Sequence, residues 1–391
     1  MIKFSGTIVF SGILCAGVAF AEISGWRNDG SGKFPDSEPL VKWSKTEGVI
    51  WKKALPKTSN ASPTIVNDRV FICQEPETLI CLSSADGSNI WEATLEWDAL
   101  SNGKSRPSKH EANGYSTPTP LSDGKHVYVV FGSGIAAAFD LEGKKIWARI
   151  IGRSAHEWGH SASPVFSSGK IIVHMNNKVL ALDPKSGKTL WSSPSLSFWG
   201  SPLPLELGTR HAILTPGGDI VRAHDGKIVA SGVAKMPWTS PIVEDGVVYV
   251  VDEKGATAFK LPTRLPLQLK VERLWSTEVK KERYYASAIY LDGLLYNVTQ
   301  SGFLVVFDAS SGETVYEQRL PLSGTVYPSP CLAGKHLIVS SDSGKMVVVE
   351  PGRTYKEVAQ NMLESLRSCP TFDGNRMYVR TFKHLYCIGP K

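Results

Sequence analysis

The chain has 391 residues, 42% of them hydrophobic and 20% charged, which is enough apolar content to bury a large core and too much for a disordered chain. Its 43 basic and 37 acidic residues are finely interspersed, so no Lys/Arg block is present to track phosphates and no nucleic acid partner is expected. The 35 Gly and 24 Pro fall at regular intervals between short apolar runs, which disfavours a helical architecture.

At the start of the chain, Lys3 is followed by the apolar run from Ile8 to Phe20 and by Ala19-Phe20-Ala21, a small-x-small cleavage site. Residues 1–21 therefore read as a signal peptide, with cleavage after Ala21 and a periplasmic or secreted mature chain from Glu22. Leu14 directly before Cys15 and Gly12 three before it do not fit a lipoprotein site. No later segment reaches the roughly 18 uninterrupted apolar residues of a membrane span. Residues 22–48 read as a leader lying on or under the domain that follows.

From residue 49 onward one unit recurs. A Ser/Thr-Pro pair, a few residues, a Gly or Asp turn and an alternating strand appear at Pro63, Pro120, Pro164, Pro202, Pro241, Ala288 in place of Pro, Pro330 and Pro370. The spacing averages about 44 residues, the period of a four-stranded propeller blade. Behind most copies comes a strand, an Asp/Ser-rich turn with Gly and an aromatic that closes the next strand: Trp91, Trp147, Trp191, Trp275 and Tyr316. Each unit thus reads as four strands. The eighth unit ends at His384-Leu385-Tyr386-Cys387 without its aromatic strand, and the missing piece, Val49-Ile50-Trp51, stands before the first unit. The pattern predicts an all-β, eight-bladed propeller over residues 49–391, its ring closed by an N-terminal strand completing the last blade. Trp51, Trp91, Trp147, Trp191 and Trp275 are expected to pack between neighbouring blades.

These residues resemble the pyrroloquinoline-quinone (PQQ) repeat propellers. Ala181, Asp183, Gly187 and Trp191 match the family's tryptophan-docking motif, with Ser186 where the motif has Thr. The leader Gly25-Trp26-Arg27-Asn28, the later Trp43-Ser44 and the terminal string from Lys383 to Cys387 resemble compact, BamB-like members. The resemblance implies one of two functions: a non-enzymatic scaffold, or a small PQQ-dependent quinoprotein oxidoreductase with calcium. There is no adjacent Cys-Cys pair, and no motif places the dehydrogenases' calcium ligands or catalytic Asp, so the scaffold reading, with no cofactor and a monomeric state, is preferred.

Candidate sites follow from the repeat. His156-Glu157-Trp158-Gly159-His160 has the spelling of a zinc-protease motif, but an internal Gly between strand-like segments denies it the helix that chemistry needs. His110-Glu111 and His156-Glu157 with His160 instead fall in adjacent top-face loops, as metal ligands, as an acid and base, or as plain solvated polar residues. Lys104, Arg106 and Lys109 read most simply as a solvated basic loop. Three residues before each motif position stand Asn60, Thr117, Ser161, Trp199, Trp238, Tyr285, Tyr327 and Arg367. A fixed register would put these around the channel mouth as an aromatic arc facing polar and basic residues. Such a mouth suits a small-molecule ligand or a partner protein; the alternative is that the rings pack between blades. Five cysteines remain in the mature chain, and Cys73 and Cys81 flank a turn in a register that would let them bridge.

Overall fold

The computed structural model describes residues 23–154, 158–233 and 235–390; the signal-peptide reading over 1–21 and His156 lie outside them. Eight four-stranded antiparallel sheets follow one another in sequence. Blade one consists of Thr64–Val66, Arg69–Gln74, Thr78–Ser83 and Asn89–Thr94, and the other blades repeat this plan from a short inner strand to a longer outer one, except blade four, where Leu203–Leu207 is longer than Ile228–Ala230. Blade eight is built from Thr371–Asp373, Arg376–Arg380 and His384–Ile388, and its outer strand is Val49–Ala54, with Lys52 opposite Tyr386. The ring is therefore closed as the truncated last unit predicts. Such closure removes the open sheet edge that an unfinished blade would expose.

The apolar core is divided into eight clusters, one at each joint between adjacent blades. Alternation along the strands explains this, because the two faces of each sheet meet two different neighbours. Five joints are closed by the expected tryptophans. Each indole lies on the turn glycine of the next blade and donates from Nε1 to a carbonyl there: Trp51 to Ser84, Trp91 to Leu141, Trp147 to Pro184, Trp191 to Ala223 and Trp275 to Ala309, at 2.8–3.0 Å. At Gly226, which has φ +78°, an added Cβ would lie 2.5 Å from the Trp191 ring.

The remaining three joints use substitutes. Between blades four and five, Leu261, Leu265 and Leu269 of an excursion pack on Val229 and Val233, and the Leu269 amide donates to the Val229 carbonyl at 2.8 Å. Between blades six and seven, Tyr316 and Tyr355 flank the cluster. Between blades seven and eight the leader supplies Trp43, 3% exposed, and Phe34, whose ring meets Phe372 at 5.0 Å.

The leader enters the ring over residues 24–34, while Pro35, Asp36, Glu38, Lys42 and residues 45–47 stay exposed on its outside. Ser24 bridges Ser122 of blade two, Lys33 pairs with Glu244 of blade five at 2.6 Å, and Lys33–Phe34 adds a parallel strand to the inner edge of blade seven. Arg27 is wholly buried and donates to the Ala288 carbonyl at 2.8 Å. Gly32 is required beside it, since a Cβ there would collide with the guanidinium. This part of the leader thus occupies the central channel, with a cavity remaining between it and Ile65, Gly124, Val243 and Thr371.

Two further expectations are corrected. Cys73 stands opposite Leu79 and Cys81 opposite Phe71, so the two thiols are offset along the hairpin and both are free. The cause is the turn: Gln74 already pairs with Thr78, which shifts the register away from the one that would bridge them. The basic loop is also not simply solvated. Arg106 pairs with the buried carboxylate of Glu77, and Lys109 approaches Glu75 at 3.7 Å.

Candidate binding mouth

The hydroxyl residue before each motif proline has a structural reason. The backbone N–H at that position donates to the hydroxyl of its counterpart in the next blade: Ser62 to Thr119, Thr119 to Ser163, Ser163 to Ser201, Ser201 to Ser240, Ser240 to Ser287 and Ser287 to Ser329, at 2.8–3.1 Å. The Cys369 amide closes the belt on Ser62 at 2.9 Å. Proline can follow because its missing N–H is not needed where the chain turns into the inner strand. This belt forms the neck of the channel, and Trp26 of the leader stands in it as the floor of a cavity of about 190 Å³.

Two residues before the belt in each unit the chain is one level higher, and all eight residues of that register line the cavity. Trp199 stacks on Trp238 with centroids 4.4 Å apart and planes 12° from parallel. Trp238 meets Tyr285 edge to face at 5.4 Å, and Tyr285 stacks on Tyr327 at 5.0 Å. Arg367 lies over Tyr327 at 4.3 Å, and Arg283 over Trp238 at 5.7 Å. Each stacked or edge-on pair contributes about 0.5–1.5 kcal/mol beyond burial, so the arc is held as one unit. The four rings are half-buried and contact each other across blades at the mouth instead of sinking into the joints.

Asn60 and Arg367 both donate to the Ala112 carbonyl, at 2.8 and 3.0 Å, which ties the arc's end to the long loop before blade two. Buried Glu75 holds that loop by accepting from the Tyr115 and Ser116 amides, each at 2.8 Å. His110 stacks on exposed Trp158 at 5.0 Å, at the cavity rim, and its Nδ1 accepts from the Ala112 amide at 3.1 Å. His160 is buried nearby, 4% exposed. Among the described residues no three His, Cys, Asp or Glu converge on a metal position.

The cavity wall carries two guanidiniums and, among its described lining residues, no carboxylate. Calcium takes six to eight oxygen ligands with carboxylates prominent. A described lining that offers only hydroxyls and the carboxamides of Asn60 and Asn113, without a carboxylate, fits poorly to the calcium that holds PQQ in a quinoprotein. The same wall suits an aromatic or anionic group.

Comparison with known proteins agrees with this build. The family described as "Outer membrane protein assembly factor BamB" matches residues 39–201, and the KIB1-4 β-propeller family matches residues 182–378. Residues 39–201 are thus similar to the BamB-like PQQ-repeat propellers, and the KIB1-4 β-propeller family matches half of the chain. The outer membrane protein assembly factor BamB of Moranella endobia is 27% identical over 352 residues, 82% of this chain and 83% of that protein. The crystal structure of BamB from Moraxella catarrhalis superposes with a TM-score of 0.65 at 16% identity, covering 88% of this chain and 97% of that one. A europium-containing methanol dehydrogenase superposes equally well, TM-score 0.65 at 12% identity over 94% and 98% of the two chains, so the fold is shared by scaffolds and enzymes alike. No helix among the described residues is long and apolar enough to cross a membrane.

Proposed function

We propose that the protein is an exported, monomeric binding propeller that takes a segment of a partner protein into its mouth. The observation that carries this reading is the arc of Trp199, Trp238, Tyr285 and Tyr327 flanked by Arg367 and Arg283 above the hydroxyl belt. Half-exposed aromatic and arginine side chains in a walled concavity are what binding hot spots are made of. The names of the relatives, assembly factors of outer membrane proteins, favour a protein ligand over a small molecule. Export rests on Lys3, the apolar run to Phe20 and Ala21. Arg367, which donates only to the Ala112 carbonyl, and Arg283, whose one ion pair with Glu253 is long at 4.0 Å, favour a segment carrying acidic groups.

A photo-cross-linking residue at Tyr327 tests this in cells. A discrete protein adduct that disappears in Trp238→Ala is expected. Adducts formed only from outer-edge positions such as Leu190, or an adduct indifferent to Trp238→Ala, would overturn it. Quinone absorbance after mixing with PQQ and Ca²⁺ would instead favour an oxidoreductase.

A further inference from the structure

The hydroxyl belt has one exception, and it lies beside a second sulfur. At the eighth position Cys369 replaces serine, and the Ser329 amide donates to its sulfur. Cys331, on the inner strand of blade seven, packs in the same core cluster as Cys369 and donates to the carbonyl of Pro370, the residue that follows Cys369, at 3.2 Å. Both thiols are free and buried, across the joint between blades seven and eight, and Cys369 lines the mouth cavity.

Arg27 of the leader stands next to the pair. Its Nη2 is engaged by carbonyls, whereas Nε and Nη1 have no hydrogen-bond partner, and the two sulfurs are the foremost groups acting on its charge. A buried guanidinium without a carboxylate stabilises a thiolate nearby. The thiols respond in opposite directions. The Cys331 thiol and the Arg27 charge lower Cys369 against its burial, while the Cys369 sulfur and burial raise Cys331. Elsewhere burial dominates, pushing Cys81 up to about 12 and Cys387 up to about 11.

We propose that Cys331 and Cys369 are a redox-active dithiol at the floor of the mouth, which reacts with a low-molecular-weight disulfide and closes into a bridge between blades seven and eight. The Cys369 thiolate attacks one sulfur of the external disulfide; that S–S bond breaks and a thiolate leaves, giving a mixed disulfide on Cys369. Cys331 then loses its proton to the departed thiolate and attacks the Cys369 sulfur, expelling the second thiolate. The two protein thiols are oxidised by two electrons, and the external disulfide is reduced to two thiols. The inference is independent of what occupies the mouth.

The test uses the reduced, folded full chain equilibrated with mixtures of oxidised and reduced glutathione, then trapped by alkylation and mapped without reduction. A single peptide pair joining Cys331 to Cys369 is expected, with Cys73, Cys81 and Cys387 remaining thiols. In Cys331→Ser the reaction should stop at a glutathione mixed disulfide on Cys369, and in Cys369→Ser the Cys331 thiol should stay unmodified. Folded protein that leaves both cysteines unlinked at every ratio, or Cys331→Ser protein that takes up no glutathione, overturns the proposal. In the Cys331→Ser background, alkylation of Cys369 against pH should have its midpoint below the roughly 8.5 of an ordinary cysteine. A midpoint at or above that value removes Arg27 from the account.

Discussion

Tryptophan serves two purposes in this ring, and the two sets differ in what their indoles touch. At the joints, Trp51, Trp91, Trp147, Trp191 and Trp275 each lie on a glycine of the next blade with Nε1 on a carbonyl, so one ring face and the one polar atom are satisfied by the fold, although Trp91, Trp191 and Trp275 are only partly buried. At the mouth, Trp199 stacks on Trp238, Trp238 meets Tyr285 edge to face, and both indoles keep part of their surface toward the cavity. A joint indole stabilises the propeller wherever it occurs. A mouth ring adds little to the fold, which leaves it available for a partner.

The sharpest way to break this distinction is at the third joint. Trp191→Ala should cost about 3 kcal/mol, the lower end of the range for truncating a large core aromatic because the ring is only partly buried, measured by denaturant unfolding. Gly226→Ala should be of the same order, because the new methyl meets the Trp191 ring and the residue has positive φ. A small effect from both would mean the joints are not where stability resides.

Next comes the leader. Trp43→Ala should destabilise nearly as much as Trp191→Ala although it lies outside the repeats, because Trp43 occupies a joint that has no docking tryptophan of its own. Thermal melting of the variant decides this, and a melt like that of the unmodified protein would show the leader to be dispensable there.

A pH-dependent effect separates joint from mouth more gently. His174 faces the joint between blades three and four, and burial holds its imidazole down to about 4, against the Ser195 carbonyl that favours the charged form. Its folded-state pKa is below the unfolded value of about 6.5, so the unfolded chain binds the proton first. Stability should be undiminished above about pH 6.5 and fall as pH drops toward 4. Unfolding of wild type and His174→Gln compared across this window should show a slope that the variant lacks; parallel curves would contradict the assignment.

Much of this was legible in the sequence because the repeat imposes equal heights on equivalent residues. The Ser/Thr-Pro pair, the glycine turn and the closing aromatic located the blades. Counting three residues back from each motif position located every residue of the mouth register. The same signal explains the hydroxyl belt, since seven of the eight positions carry Ser or Thr. What lay outside the repeat could not be read this way. Arg27, Trp26 and Trp43 have no counterpart in any blade, so nothing in the pattern placed them in the channel, at its floor or in a joint. Arg106 on Glu77 depended on how a long loop folds back, and the Cys73 register on a turn whose length several pairings would allow. The closeness of Cys331 and Cys369 is a contact between blades, and strand patterns describe contacts within them.

The most direct test of the central claim is thermal unfolding of the Trp199→Ala/Trp238→Ala double variant beside Trp191→Ala, with cross-linking from Tyr327 recorded on the same samples. The double variant breaks two ring pairs worth together about 1–3 kcal/mol and should still unfold later than Trp191→Ala, while the adduct disappears. If the double variant melts as early as Trp191→Ala, or keeps its adduct intact, the mouth rings belong to the core and the binding surface must be sought elsewhere.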